Sequence, residues 1–115
     1  MFLTNNGEIK VDGEIVGIIK ISGNTIQDIM IDKPYRNNKY GTKAVGKAIN
    51  KIKNNNYNYI TTTTVVHNGM YKILKKYNFK YIKNINEKEI PRYLRSDINI
   101  PRDKSLTPNG MIKIF

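Results

Sequence analysis

The residues best placed to do chemistry run from Ile29 to Thr42, IMIDKPYRNNKYGT, a strand that passes through a short loop into an amphipathic helix. The first amides of a helix lack intrahelical acceptors, and the helix dipole favours negative charge there. A strand, loop and helix start of this kind can therefore cradle a phosphate. Gly41 is expected to let the backbone approach a ligand, and Arg36 and Lys39 add positive charge. The same residues also fit a plain strand-to-helix turn with solvated basic side chains, and spacing alone leaves both readings open.

The elements around this segment set its position. Gly7 to Val11 alternates weakly, Asp12-Gly13 gives a tight-turn signal, and Glu14 to Ser22 is rich in Ile and Val, which predicts a β-hairpin. After Gly23-Asn24, Thr25 to Asp32 predicts a third strand. The change of parity between Ile26 and Ile29 predicts a bulge there, or a strand buried on both faces. Tyr40 to Lys53 carries Ala44, Val45, Ala48, Ile49 and Ile52 at helical spacing, and the helix should stop in the Asn54-Asn55-Asn56 run. Tyr57 to Val66 is the most β-prone stretch. Met70 to Tyr77 predicts a second helix closed by Asn78, and Phe79 to Ile85 another strand. Glu87 to Arg95 reads as a short helix with Pro91 in its first turn, and Met111 to Phe115 as a terminal strand. The order predicts mixed α/β layers in a single domain, residues 1–115, with 86–115 as a C-terminal extension.

Ile26 to Phe79 resembles the GNAT superfamily of acetyl-coenzyme-A-dependent N-acetyltransferases in its order of elements, with Glu8 to Ser22 matching the family's preceding hairpin. The resemblance implies an α/β fold with a mixed, mostly antiparallel sheet flanked by two main helices. The family's pyrophosphate loop, Arg/Gln-x-x-Gly-x-Gly/Ala, appears as Arg36-Asn37-Asn38-Lys39-Tyr40-Gly41. Lys39 stands in place of the first glycine and can still offer its backbone amide if its φ stays negative, so a weaker fit rather than loss of the site is expected, with φ negative. By the same resemblance Arg36, Asn37, Asn38, Lys39, Tyr40, Gly41 and Thr42 hold the coenzyme pyrophosphate. Ile29, Met30 and Ile31 then pair with the pantetheine arm, in a cleft between the strands Thr25 to Asp32 and Tyr57 to Val66. His67 falls where the family has a ligand-contacting Asn, with Asn68 beside it.

What the resemblance implies for function is transfer of the acetyl group of acetyl-CoA to a primary amine by direct attack. One cleft amide would polarise the thioester carbonyl. Asp28 is the first choice as base and Glu14 the second. The family's tyrosine acid is replaced by Leu74, and Tyr71, three residues earlier on the same helix, is expected as a substitute. The tyrosines at 57, 59, 71, 77 and 81 read as packing rather than a stacking platform for bases. The family's usual N-terminal strand and two helices have no counterpart before the hairpin. Acceptor recognition is therefore expected from residues 86–115, from a partner subunit such as a second copy in a homodimer, or from an unusually open site.

Composition narrows the alternatives. The chain has 115 residues, 20 Lys plus Arg against 9 Asp plus Glu, and a net charge of +11. Lacking cysteine, it can form neither a disulfide framework nor a thiolate cluster, and one histidine argues against a multi-histidine metal site. No run approaches the ~20 apolar residues of a membrane helix, and no export signal is visible, so the expectation is a cytoplasmic protein. The charge is shared with a general excess of Ile, Asn and Lys, and Lys outnumbers Arg 16 to 4, which suits an AT-rich coding sequence. The positive field still favours anionic ligands or a macromolecular acceptor and repels small polyamines. Two other function classes stay open: a coenzyme-A-binding or partner-binding module with weak catalysis, and a basic nucleic-acid-binding domain.

Overall fold

Asp12 and Gly13 both adopt positive φ (51° and 82°), the conformation of a tight two-residue hairpin turn, and so join β2 (Glu8–Val11) to β3 (Glu14–Ser22). The structure is a computed structural model that describes residues 1–63, 65, 68–94 and 110–115. Ahead of the hairpin lies β1 (Phe2–Leu3), antiparallel to β2, which the sequence pattern did not predict because two residues carry no period. A second turn leads from β3 to β4 (Thr25–Ile31). The chain continues through a single 3₁₀ turn, Lys33–Tyr35, into α1 (Tyr40–Asn54), β5 (Tyr59–Thr62), α2 (Asn68–Lys76), β6 (Lys80–Tyr81) and β7 (Met111–Ile114).

Among the described residues seven strands form one mixed sheet in the order β1-β2-β3-β4-β5-β7-β6, antiparallel except where β4 meets β5. The expected fold class therefore holds, with β7 inserted between β5 and β6. The predicted bulge is also present. Lys20 pairs with Asp28 but Ile21 pairs with Ile26, which leaves Gln27 as the extra residue on β4.

Both helices cover one face of the sheet. Ala44, Val45, Ala48, Ile49 and Ile52 of α1 and Leu74 of α2 pack with Ile9, Val16, Ile19, Ile26, Ile60, Phe79 and Met111. On the other face, behind β5 and β7, Ile90, Leu94 and Ile112 form a smaller core with Tyr59, Ile82, Ile85 and Ile114. The predicted helix from Glu87 proves to be two short 3₁₀ turns, Glu87–Glu89 and Arg92–Leu94, with Arg95 outside the described residues. Pro91 precedes the second turn, where its missing N–H is harmless. The strand expected over Phe79 to Ile85 shortens to two residues and turns into a 3₁₀ segment, Ile82–Asn84.

Helix ends follow local chemistry. α2 closes with Asn78 at φ 65°, the Phe79 N–H donating to the Leu74 carbonyl and the Asn78 N–H to the Lys75 carbonyl. That is the double-bond closure of a Schellman motif, with apolar Leu74 and Phe79 meeting across it. Lys113 Nζ on β7 donates to the Tyr77 carbonyl at 2.7 Å, placing a cation at the negative end of α2. No helix among the described residues is long and apolar enough to cross a membrane.

Thr62 is the one buried polar side chain among the described residues, and its Oγ1 accepts from the Met111 N–H at 3.0 Å. This bond fixes where β7 enters the sheet. Thr62→Val should leave that buried N–H unpaired and cost about 1–3 kcal/mol in chemical denaturation, whereas Thr62→Ser should cost less.

Candidate functional site

The site begins with the way β4 leaves β5. Among the described residues the two strands pair only at Thr25 with Thr61 and Ile26 with Thr62. The hydroxyls of Thr25 and Thr61 lie 2.9 Å apart, and the Thr61 and Thr63 N–H groups donate to the carbonyls of Asn24 and Ile26. At the bulge Thr63 Oγ1 donates to the Gln27 carbonyl at 2.7 Å. Beyond it, among the described residues, β4 pairs with β3 alone.

Strand alternation fixes which backbone groups of β4 face the opened side. The Asp32 N–H donates to the Val16 carbonyl, so in the continuous register Met30 and Asp28 also direct their N–H and C=O toward β3. Ile29 and Ile31 direct theirs the other way. Arg36 reaches into this opening, its Nε donating to the Ile31 carbonyl at 2.9 Å. Of the three expected strand positions, Ile29 and the N–H of Ile31 thus lie on the free edge, the Ile31 carbonyl being engaged by Arg36, while the groups of Met30 belong to the β3 ladder.

The loop and helix start sit beside this edge. Asn38 Nδ2 donates to the carbonyls of Tyr35 and Arg36, holding the turn closed. The first intrahelical bond of α1 runs from the Lys43 N–H to the Lys39 carbonyl at 3.0 Å. The N–H groups of Tyr40, Gly41 and Thr42 therefore have no backbone acceptor among the described residues. The first turn contains no acidic residue, and Lys39 gives no side-chain cap. An uncapped helix start with Arg36 and Lys39 beside it suits a diphosphate.

One expectation about this loop is corrected. Lys39 has φ 61°, in the left-handed region rather than at negative φ, and Asn37 has φ 68°. Lys39 thus adopts the conformation that a glycine would take at no steric cost, because the chain must reverse sharply to start α1. Gly41, in turn, has a packing role that the sequence did not signal. A Cβ there would lie 3.2 Å from Ile73 Cδ1 and 3.7 Å from Ile31 Cγ1, so the glycine lets α1 sit close to α2 and β4.

The remaining candidates are spread across the sheet. Asp28 is exposed and shares the uncovered face with Lys20 across from it and with Met30. No carboxylate among the described residues lies within ion-pair distance of Lys20, the recorded pair being Lys80 with Glu89. Tyr71 belongs to the helix-side layer, where its ring stacks on Tyr81 at 5.5 Å and 15°. Asp28 and Tyr71 therefore stand on opposite faces and could share a reacting group only through the gap beside β4. Leu74 is fully buried, and Asn68 opens α2 on the surface. His67 lies outside the described residues. Among the other tyrosines, Tyr77 and Tyr81 pack on the main core and Tyr59 on the smaller one, whereas Tyr57 is exposed. The Tyr77 hydroxyl donates to the Thr42 carbonyl at 2.8 Å, bracing the first turn of α1.

One contact had no sequence signal. The Tyr35 hydroxyl donates to Glu14 Oε2 at 3.1 Å, tying the hairpin to the loop across 21 positions. Glu14, the second choice as base, is thus engaged at the loop. This hydrogen bond, and then the carboxylate's charge, hold the Tyr35 pKa above its ordinary value.

Two outcomes follow. Lys39→Gly should fold at least as stably as the parent, gaining up to ~1 kcal/mol as relief of left-handed strain outweighs the added freedom of the unfolded chain, whereas Lys39→Val should be destabilised. Because the neutral phenol is favoured in the folded state, the Tyr35 contribution is complete below the unfolded tyrosine pKa and disappears as pH rises through the raised folded value. Denaturation at neutral and strongly alkaline pH should show this loss in the parent and not in Tyr35→Phe.

Comparison with known proteins bears on the family and the fold. The profile of the Acetyltransferase (GNAT) family matches residues 2–79. No curated protein matches the chain. Among solved structures, a GNAT-family acetyltransferase from Staphylococcus aureus Mu50 is similar at 24% identity and TM-score 0.52, over 96% of this chain and 69% of that one. The Mycobacterium tuberculosis protein Rv2747, solved in complex with CoA and NLQ, is similar at 10% identity and TM-score 0.53, over 91% of this chain and 70% of that one. These likenesses concern the fold, and the profile match over more than half of the chain carries the assignment: the protein belongs to the GNAT family of acetyltransferases.

Proposed function

We propose that this protein transfers the acetyl group of acetyl-CoA to a primary amine within a ternary complex. The observation that carries the reading is the adjacency of the opened β4 edge, Ile29 and Ile31, to the uncapped start of α1. One end binds the anionic part of the coenzyme, and the other pairs with its amide-bearing arm. Acetyl-CoA supplies an activated acyl group as a thioester.

The chain's own groups then have separate tasks. Arg36 and the amides of Tyr40, Gly41 and Thr42 hold the pyrophosphate. Ile31 and Ile29 orient the arm by backbone pairing, and the Ile29 N–H is placed to stabilise the oxyanion formed when the amine nitrogen attacks the carbonyl carbon. Asp28, on the open face, takes the proton that the amine releases, directly or through water. The carbon–sulfur bond breaks as the C=O re-forms, and the departing thiolate takes a proton from water or from Tyr71.

A second reading, a coenzyme-binding module with weak turnover, is favoured by Leu74, whose buried side chain stands where the family's acid would be. A basic nucleic-acid-binding domain is the third. Stabilisation of the native protein by acetyl-CoA in a thermal melt separates the first two from the third, and release of free thiol with an amine separates the first from the second.

Arg36→Ala should weaken acetyl-CoA binding by about 1–3 kcal/mol in calorimetry. Asp28→Asn should lower kcat by about 10²–10⁴ fold, with partial rescue at higher pH where the free amine is more abundant. Tyr71→Phe should lower it by less than about tenfold, because correct placement and the oxyanion donor supply most of the rate. A silent Asp28→Asn beside an inactive, folded Tyr71→Phe would reverse these roles.

A further inference from the structure

A second opening lies at the other end of the sheet, with a volume of about 270 Å³. Its lining residues include apolar Leu3 and Ile21, the amide residues Asn5 and Gln27, and the basic residues Lys20 and Lys51. It is separate from the coenzyme loop, since Lys51 lies twelve residues along α1 from Lys39, about 18 Å at the helical rise. Nothing in the proposed acetyl transfer uses it.

Two features define what it can bind. The first is an unfilled strand edge. β2 ends at Glu8 opposite Ile18, and the last rung beyond it is the Ile19 N–H donating to the Gly7 carbonyl at 2.7 Å. β3 continues to Ser22, and since its alternation is unbroken from Gly17 onward, the N–H and C=O of Ile21 point to the same side as those of Gly17 and Ile19. At Ile21 that side holds no strand among the described residues, only the opening. One residue presenting both groups can exchange two hydrogen bonds with an extended backbone.

The second is charge. Lys20 and Lys51 both border the opening, and among the described residues neither has a carboxylate within ion-pair distance. An anionic head satisfies them, and the amides of Asn5 and Gln27 can donate to its oxygens or accept from a peptide N–H. The volume falls just below the usual range for small-molecule pockets, about 300–1,000 Å³, so the occupant is short.

We propose that this opening binds the C-terminal end of an extended peptide, with its backbone paired to Ile21 and its free carboxylate held by Lys20 and Lys51. The site does not depend on acetyl transfer and stands or falls separately from it.

The test uses the full ¹⁵N-labelled chain and amide NMR, titrated with N-acetyl-dialanine as the free acid, with its C-terminal amide, and with acetate alone. The free acid should shift the Ile21 amide and its neighbours Gly7 and Lys51 in a saturable way at millimolar concentration. The amide form should bind about tenfold more weakly or worse, and so should the free acid to the double variant Lys20→Gln with Lys51→Gln. Shifts caused by CoA at residues 36–42 should be the same in that variant as in the parent, which shows that the fold and the other site are intact. Equal binding of the amide form would overturn the carboxylate role, and equal shifts with acetate alone would overturn the peptide pairing. Absence of saturable shifts at Ile21, or shifts confined to residues 36–42, would overturn the site itself.

Discussion

The bulge at Gln27 is the constraint on which the rest depends. Without the extra residue, β4 would keep one register with β3. With it, Ile26 and Ile29 both turn toward the helices although they are three positions apart. Thr63 Oγ1 caps the Gln27 carbonyl at that point, and among the described residues the short parallel pairing of β4 with β5 ends there. A buried strand edge is costly because its polar groups need partners. Here the edge opens next to a helix start that also lacks partners, so one extended, amide-bearing anion can satisfy both.

The loop between them is built with some strain and much bracing. Lys39 takes a left-handed backbone that a side chain resists, and Asn37 takes another. Around them, Asn38 closes the turn onto the Tyr35 and Arg36 carbonyls, Tyr35 is tied to Glu14 on the hairpin, and Tyr77 braces the Thr42 carbonyl from α2. The loop is thus held from three directions, and the amides it presents are set before a ligand arrives. Preorganised donors of this kind need little rearrangement on binding.

Much of this was legible in the residues because it is local. The spacing of Ala44, Val45, Ala48, Ile49 and Ile52 marks the buried face of α1, the parity change from Ile26 to Ile29 marks the bulge, and Asn78 marks the end of α2. Features that rest on long-range pairing were not. Among its described residues the β-prone run Tyr57 to Val66 gives a strand of only four residues, since propensity cannot tell that its neighbour has already diverged at Gln27. The place of β7 between β5 and β6 depends on Thr62 meeting Met111, and the hold of Glu14 on Tyr35 spans the hairpin and a turn; neither leaves a period in the sequence. Lys39 misleads for another reason, because its residue type predicts the opposite sign of φ from the one the chain reversal requires.

The central claim is that the free edge of β4 and the start of α1 together form one coenzyme site. Amide NMR of the labelled protein during titration with CoA tests it most directly, since it reads each backbone N–H separately. The account predicts saturable shifts at Ile29, Ile31, Tyr40, Gly41 and Thr42 with one shared affinity, and a smaller response at Met30, whose N–H belongs to the β3 ladder. Saturation of the α1 amides without Ile29 and Ile31, or of the two sets at different affinities, would contradict it.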